Sequence, residues 1–214
     1  MVMKTATPVR IQAGDVWLNG DLTLPDVVRG LVIFAHGSGS SRLSPRNRFV
    51  ARELQKAGLA TLLFDLLTEL EDQDYENRFN IDLLTQRLIL ATRWASEQAE
   101  TKDLQIGYFG ASTGAAAALI AAADLPSVVR VVVSRGGRPD LAESRLGDVR
   151  AATLLIVGAA DHPVIPLNES AFRRLNTVKR MDLVPGATHL FEEPGTLEEV
   201  ARLARDWFRE HLSG

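Results

Sequence analysis

The chain has 214 residues, 46% of them hydrophobic and 24% charged, the size and composition of one globular domain able to bury a full core. Its 24 Lys and Arg stand against 27 Asp and Glu, a formal net charge of −3, so there is no basic field of the kind that nucleic acid or an anionic membrane surface selects. Cysteine is absent, which removes disulfides, thiolate metal ligands and a cysteine nucleophile together and fits a reducing cytoplasm.

The first ten residues, MVMKTATPVR, hold no apolar core of signal-peptide length. Residues 8–24 alternate in polarity, and Gly14-Asp15 and Asn19-Gly20 are turn signals, so an antiparallel meander is expected there. Six short apolar runs follow, at 31–35, 59–64, 104–109, 128–134, 153–158 and 179–184. They read as strands buried on both faces. Between the second and third, Ile81, Leu84, Leu88, Ala91 and Ala95 recur at three- and four-residue steps, the stripe of an amphipathic helix. The acidic stretch 69–76 reads as a solvated loop ahead of that helix. A last helix is expected from Thr196, with Glu199 three residues on completing a capping box. Alternating strands and helices make a parallel α/β sheet covered on both faces, in a single domain over 1–214. The connection from Ser134 to Thr153 has room for a short helix but not for a large lid. The longest apolar run, Ala115 to Ala123, is far short of a bilayer span.

In such a sheet the site forms at the carboxyl ends of the strands. Directly after the run LQIGYF stands Gly110-Ala111-Ser112-Thr113-Gly114, which reads as a nucleophile elbow. A serine hydroxyl needs to be held away from its own backbone and presented to a base, and a sharp strand-to-helix turn with small neighbours does both. A bare G-x-S-x-G arises by chance in roughly one chain of this size in fifteen, so the strand before it and the alanine-rich helix after it carry the weight. After TLLIVG comes Asp161, and after KRMDLV the loop containing His189. Ser, Asp and His thus fall at strand ends in the order this fold uses. His189 is the candidate general base, since a glycine-containing loop can swing an imidazole over the elbow; the competing reading is a surface loop histidine. His162 precedes Pro163 at the wrong strand end, and His211 reads as a solvated residue of the last helix. Asp161 is the candidate for orienting the imidazole. Its rival is Asp140, one strand earlier, disfavoured because it follows Pro139 at the start of a helix. Asp65 reads as a loop hydrogen-bonding residue.

His36-Gly37-Ser38-Gly39-Ser40-Ser41 follows the run LVIFA. Its amides could receive developing negative charge, with Ser38 giving one N–H and Thr113 the other. The same loop could cradle phosphate, but no P-loop or dinucleotide fingerprint accompanies it. His36 is expected to brace the loop, and His36, Gly37 and Arg135 to line the substrate cleft. An inward Arg135 would imply an anionic substrate group; Arg42, Arg46, Arg48 and Arg138 read more simply as solvated or paired with carboxylates.

With these elements placed, nearly the whole chain resembles the α/β-hydrolase superfamily, and within it the small, lidless dienelactone-hydrolase-like proteins. The resemblance implies about eight strands with the second antiparallel, and a Ser112–His189–Asp161 triad acting on esters or related acyl compounds without metal or organic cofactor. One departure matters: dienelactone hydrolases proper use a cysteine nucleophile where this chain has Ser112, so their lactone substrate does not carry over. Similar sequences also occur as the second half of chains that begin with a phosphoribosyltransferase-like domain, a pairing that identifies no substrate. The expectation is a cytoplasmic serine hydrolase of a small-to-medium ester, lactone or thioester. The alternatives are an acyltransferase, a C–C hydrolase, or a non-catalytic ligand-binding or partner domain. The partner expected is a small-molecule substrate, not nucleic acid or membrane.

Overall fold

The computed structural model describes residues 5–212. Its strands are β1 (Thr7–Ala13), β2 (Val16–Thr23), β3 (Leu31–Ala35), β4 (Ala60–Phe64), β5 (Ile106–Ala111), β6 (Val129–Arg135), β7 (Ala152–Gly158) and β8 (Lys179–Val184). They form one sheet in the order β1-β2-β4-β3-β5-β6-β7-β8. β2 pairs antiparallel with both neighbours and every other pairing is parallel, the pattern that the resemblance implies. Parallel neighbours need long crossovers, and these are supplied by α1 (Pro45–Lys56), α3 (Ile81–Glu97), α4 (Thr113–Asp124), α5 (Ile165–Arg174) and a 3-10 segment at Pro139–Asp148. A four-residue α2 (Glu69–Asp72), a 3-10 turn at Tyr75–Phe79 and the closing α6 (Thr196–His211) complete the set.

Side chains alternate across each strand, so one strand feeds two cores. From β6, Val132 joins the core under α3, α4 and α5, while Val131 and Val133 join the one under α1 and α6. The central strands β3 to β7 are buried almost throughout, whereas β8 is mostly half-exposed and carries Lys179, Arg180 and Asp182. Its position explains the difference: an edge strand has one open side, and charges there discourage pairing with another sheet.

Three local expectations are corrected. Asn19-Gly20 is no turn but lies inside β2, where a Cβ on Gly20 would stand 3.0 Å from Val9 Cγ2 and 3.3 Å from Phe64 Cβ. The glycine answers a close approach of strands. The capping box at Thr196 does not form: Gly195, at φ 83°, is the N-cap, and the Thr196 hydroxyl donates to the Glu193 carbonyl instead. A capping box does form between Thr68 and Glu71, where the stretch read as an acidic loop begins, and it starts α2. Between β6 and β7 there is the 3-10 segment and no lid, and among the described residues no helix is long and apolar enough to cross a membrane.

Candidate active site

Between β5 and α4 the chain turns on Ser112, held at φ 50° and ψ −122°. A side-chain-bearing residue pays on the order of 1–3 kcal/mol for such a backbone, so the surroundings must enforce it. The Ser112 N–H donates to the Arg135 carbonyl at 3.4 Å, and the Ser112 carbonyl accepts from Arg138 and Ala115, each at 3.1 Å. The flanking glycines permit close contact: a Cβ on Gly110 would sit 2.5 Å from Ala115 Cα, and one on Gly114 would run into the Ala35 carbonyl. Ser112 is the N-cap of α4, yet its hydroxyl makes no capping bond. It is therefore not spent on the helix.

Asp161 lies in the tight turn after β7, its N–H on the Gly158 carbonyl and its own carbonyl accepting from Val164. Its side chain is 8% exposed, and Oδ2 lies 2.7 Å from His189 Nδ1. A carboxylate only accepts, so Nδ1 carries the proton, and in the neutral ring Nε2 is left as an acceptor. The His189 side chain is 38% exposed, open to a reactant. Its loop is tied down on either side of the imidazole. Glu193 accepts from the Thr188 N–H and hydroxyl, and Phe191, at φ 55°, is buried to 1% exposure. Gly136 abuts this loop, since a Cβ there would stand 3.0 Å from the His189 carbonyl oxygen and 3.7 Å from its Cε1. Ser112 and His189 therefore both meet the end of β6, one through the Arg135 carbonyl and the other through Gly136. Asp140, the alternative acid, is held instead by the Arg138 guanidinium in three bonds of 2.8 to 3.2 Å.

The glycine loop lies on the other side of the elbow: a Cβ on Gly37 would be 3.0 Å from Ser112 Cβ. His36 braces it. Its Nδ1 donates to the Gly37 carbonyl at 2.9 Å and its Nε2 accepts from the Leu66 N–H at 3.0 Å. Burial holds this imidazole below its ordinary pKa, against the opposing pull of the Gly37 carbonyl. Ser38 stands on the exposed part of this loop, and Thr113 opens the first turn of α4, where backbone N–H groups lack intrahelical acceptors. A groove of about 520 Å³ opens beyond the loop, lined by His36, Ser40, Arg42 and Leu67 and rimmed by the exposed Trp17 and Leu70. Gly37 and His36 also line a narrow recess beside Ser38.

Arg42 bonds Asp65, as expected of a loop carboxylate, and Arg46 and Arg48 reach Glu192 and Asp21. Arg135 differs: it points inward and is 6% exposed. Its Nη2 donates to Asn47 Oδ1 at 3.2 Å, its guanidinium lies 5.8 Å over the Phe191 ring, and its Nε is buried without an acceptor. Burial, with Arg46 nearby, lowers its pKa to about 10. His162 is exposed next to Asp161, and His211 is not solvated as expected but packs edge-on against Trp207 at 4.2 Å between ring centroids. Sequence reasoning passed over Phe191, Asn47 and Glu193. A lone aromatic in the polar loop PGATHLFEEPG was the available signal for the first. Among the described residues no cluster of three His, Cys, Asp or Glu could hold a metal ion.

The chain is similar to several known proteins. Two Mycobacterium tuberculosis proteins that carry a provisional phosphoribosyl transferase name are each 59% identical over 206 residues, 96% of this chain. The chain spans only 46% of their length. A dienelactone hydrolase from Anabaena variabilis is 55% identical, with a TM-score of 0.94 and coverage of 97% of this chain and 98% of that one. An α/β serine hydrolase without a lid from Xanthomonas campestris shares the fold at a TM-score of 0.78 and 20% identity, over 98% of this chain and 96% of that one. The family model described as the dienelactone hydrolase family matches residues 22–212. The chain belongs to the dienelactone hydrolase family, and its fold is that of the α/β hydrolases.

Proposed function

We propose that this hydrolase works through an acyl-enzyme on Ser112, cleaving a small-to-medium ester, lactone or thioester. One observation carries the reading. A serine in a strained strand-to-helix turn, its hydroxyl unspent, shares the end of β6 with a histidine whose far nitrogen is fixed by a buried carboxylate. His189 Nε2 takes the proton from Ser112 Oγ as Oγ attacks the carbonyl carbon, and the imidazolium that forms is stabilised by Asp161. Negative charge on the carbonyl oxygen falls to the Ser38 and Thr113 amides, with the N-terminal end of the α4 dipole behind them. Collapse of the tetrahedral intermediate expels the leaving group with the proton from His189. Water then repeats the sequence to release the acid. None of these steps calls for a cofactor. The open groove lined by His36 and rimmed by Trp17 suits a substrate portion beyond the scissile bond. The cysteine-free composition suits a cytoplasmic setting.

The test is labelling by a fluorophosphonate probe together with a screen of p-nitrophenyl esters, lactones and thioesters. Wild type should label at Ser112 and turn over short esters, and Ser112→Ala should lose both with its circular dichroism unchanged. Esterase activity surviving in Ser112→Ala would overturn the reading, and an unlabelled wild type would favour the non-catalytic partner domain. Turnover only with a non-water acceptor would point to acyl transfer.

A further inference from the structure

Arg135 stands where the two halves of the site meet. Its carbonyl takes the Ser112 N–H, the residue after it abuts the His189 loop, and its side chain runs between α1 and that loop to Asn47 and Phe191. A guanidinium withdrawn from water is costly unless an anion or a full set of acceptors compensates. Among the described residues no carboxylate bonds Arg135, its Nε has no acceptor, and the neighbouring Arg46 is a like charge. A methionine or leucine would fill the same space without that penalty. The cation therefore does something that packing alone does not.

What it touches indicates what that is. The Phe191 ring presents its face at 5.8 Å, and a desolvated cation over an aromatic face is held more firmly than an exposed one. Phe191 needs such an anchor, because its backbone sits at φ 55°, a conformation that a bulky residue keeps only when its surroundings impose it. Two residues before it is His189. Asn47, buried in the first turn of α1, fixes the other end of the guanidinium.

We propose that Arg135 is a positioning residue for the general base: held by Asn47, its guanidinium clamps the Phe191 ring and, through it, the left-handed turn that presents His189 to Ser112. The proposal rests on the serine-hydrolase reading, and its test separates the two. Arg135→Met, Arg135→Lys and Phe191→Leu are compared with wild type on p-nitrophenyl acetate and on an ester carrying a free carboxylate. The low-field Nδ1–H proton resonance of His189 is followed alongside. Arg135→Met should lower kcat on both substrates by about ten- to a hundredfold, the scale of a misplaced catalytic group. KM should stay within about twofold, since substrate binding is untouched. Phe191→Leu should do the same, the double variant should be no worse than either single one, and Arg135→Lys should recover part of the rate by keeping a cation over the ring. The His189 resonance should broaden or shift in Arg135→Met, a readout that holds even for a wild type that proves inactive. A rise in KM confined to the carboxylated ester, with kcat intact, would overturn the proposal and make Arg135 an anion-binding group. An unchanged kcat and an unchanged resonance would overturn it too. Should Arg135→Met fail to fold, Phe191→Leu and Arg135→Lys decide by the same criteria.

Discussion

Ser112 and Phe191 are the residues other than glycine that hold positive φ among those described, at 50° and 55°, and they lie on opposite halves of the site. Strain of this kind persists where tertiary structure over-determines the backbone. Around Ser112 that means three backbone hydrogen bonds and two glycines; around Phe191 it means a buried ring under a cation. The carboxylates are sorted just as locally. Asp161 has His189 and Asp140 has Arg138, so Asp161→Asn should lower kcat by roughly 10³–10⁴, the amide favouring the wrong tautomer and failing to stabilise the imidazolium. Asp140→Asn should leave kcat within about twofold of wild type. Steady-state kinetics on one p-nitrophenyl ester checks both. The elbow, the order of Ser, Asp and His, and the His36 brace were legible because each hangs on residues adjacent in sequence to a strand end. The Arg135–Phe191–Asn47 contact was not. It joins residues from three separate parts of the chain, and no periodicity signals a cation under an aromatic ring.

At the scale of elements, α4 shows how the elbow is held from behind. From Ala115 to Ala123 it is buried on nearly every side, packed against β5, β6, α3 and the 3-10 segment, and its side chains are mostly methyls. Small residues let the helix approach the sheet closely, and no slack remains to absorb larger ones. Ala118→Leu should therefore cost about 1–3 kcal/mol through overpacking, read as a lower urea midpoint at unchanged m-value. The central strands were readable from their apolar runs because burial on both faces leaves a continuous signal. Element ends were less so. Thr196 and Glu199 have the spacing of a capping box, yet Gly195 takes the cap because its left-handed backbone closes the turn from Glu193. Thr68, just ahead of an acidic run that looked merely solvated, and Glu71 within it form the real one.

For the molecule as a whole, the buried His36 ties stability to pH. Its folded pKa lies below the ordinary 6.5, so below that pH the unfolded chain binds the extra proton and the folded one resists it. His36 thus contributes stability that is fully present above pH 6.5 and is lost as the pH falls from there through the folded value. Urea midpoints from pH 8 to pH 5 should fall more steeply in wild type than in His36→Gln, which keeps an acceptor for the Leu66 N–H but cannot titrate. Equal slopes would mean that other groups govern the acid limb.

The sheet order carries a further consequence. In the proposed mechanism the nucleophile, the acid and the base follow β5, β7 and β8, and β8 is an edge strand, paired on one side only. A growing chain makes the elbow before β8, so until β8 docks the proposed nucleophile Ser112 has no base beside it. In the proposed mechanism, reactivity is then withheld until that strand seats. In a refolding time course, fluorophosphonate labelling should lag the recovery of helical signal and coincide with protection of the β8 amides from hydrogen exchange. A working site of the proposed kind would report on assembly, silent until β8 is seated.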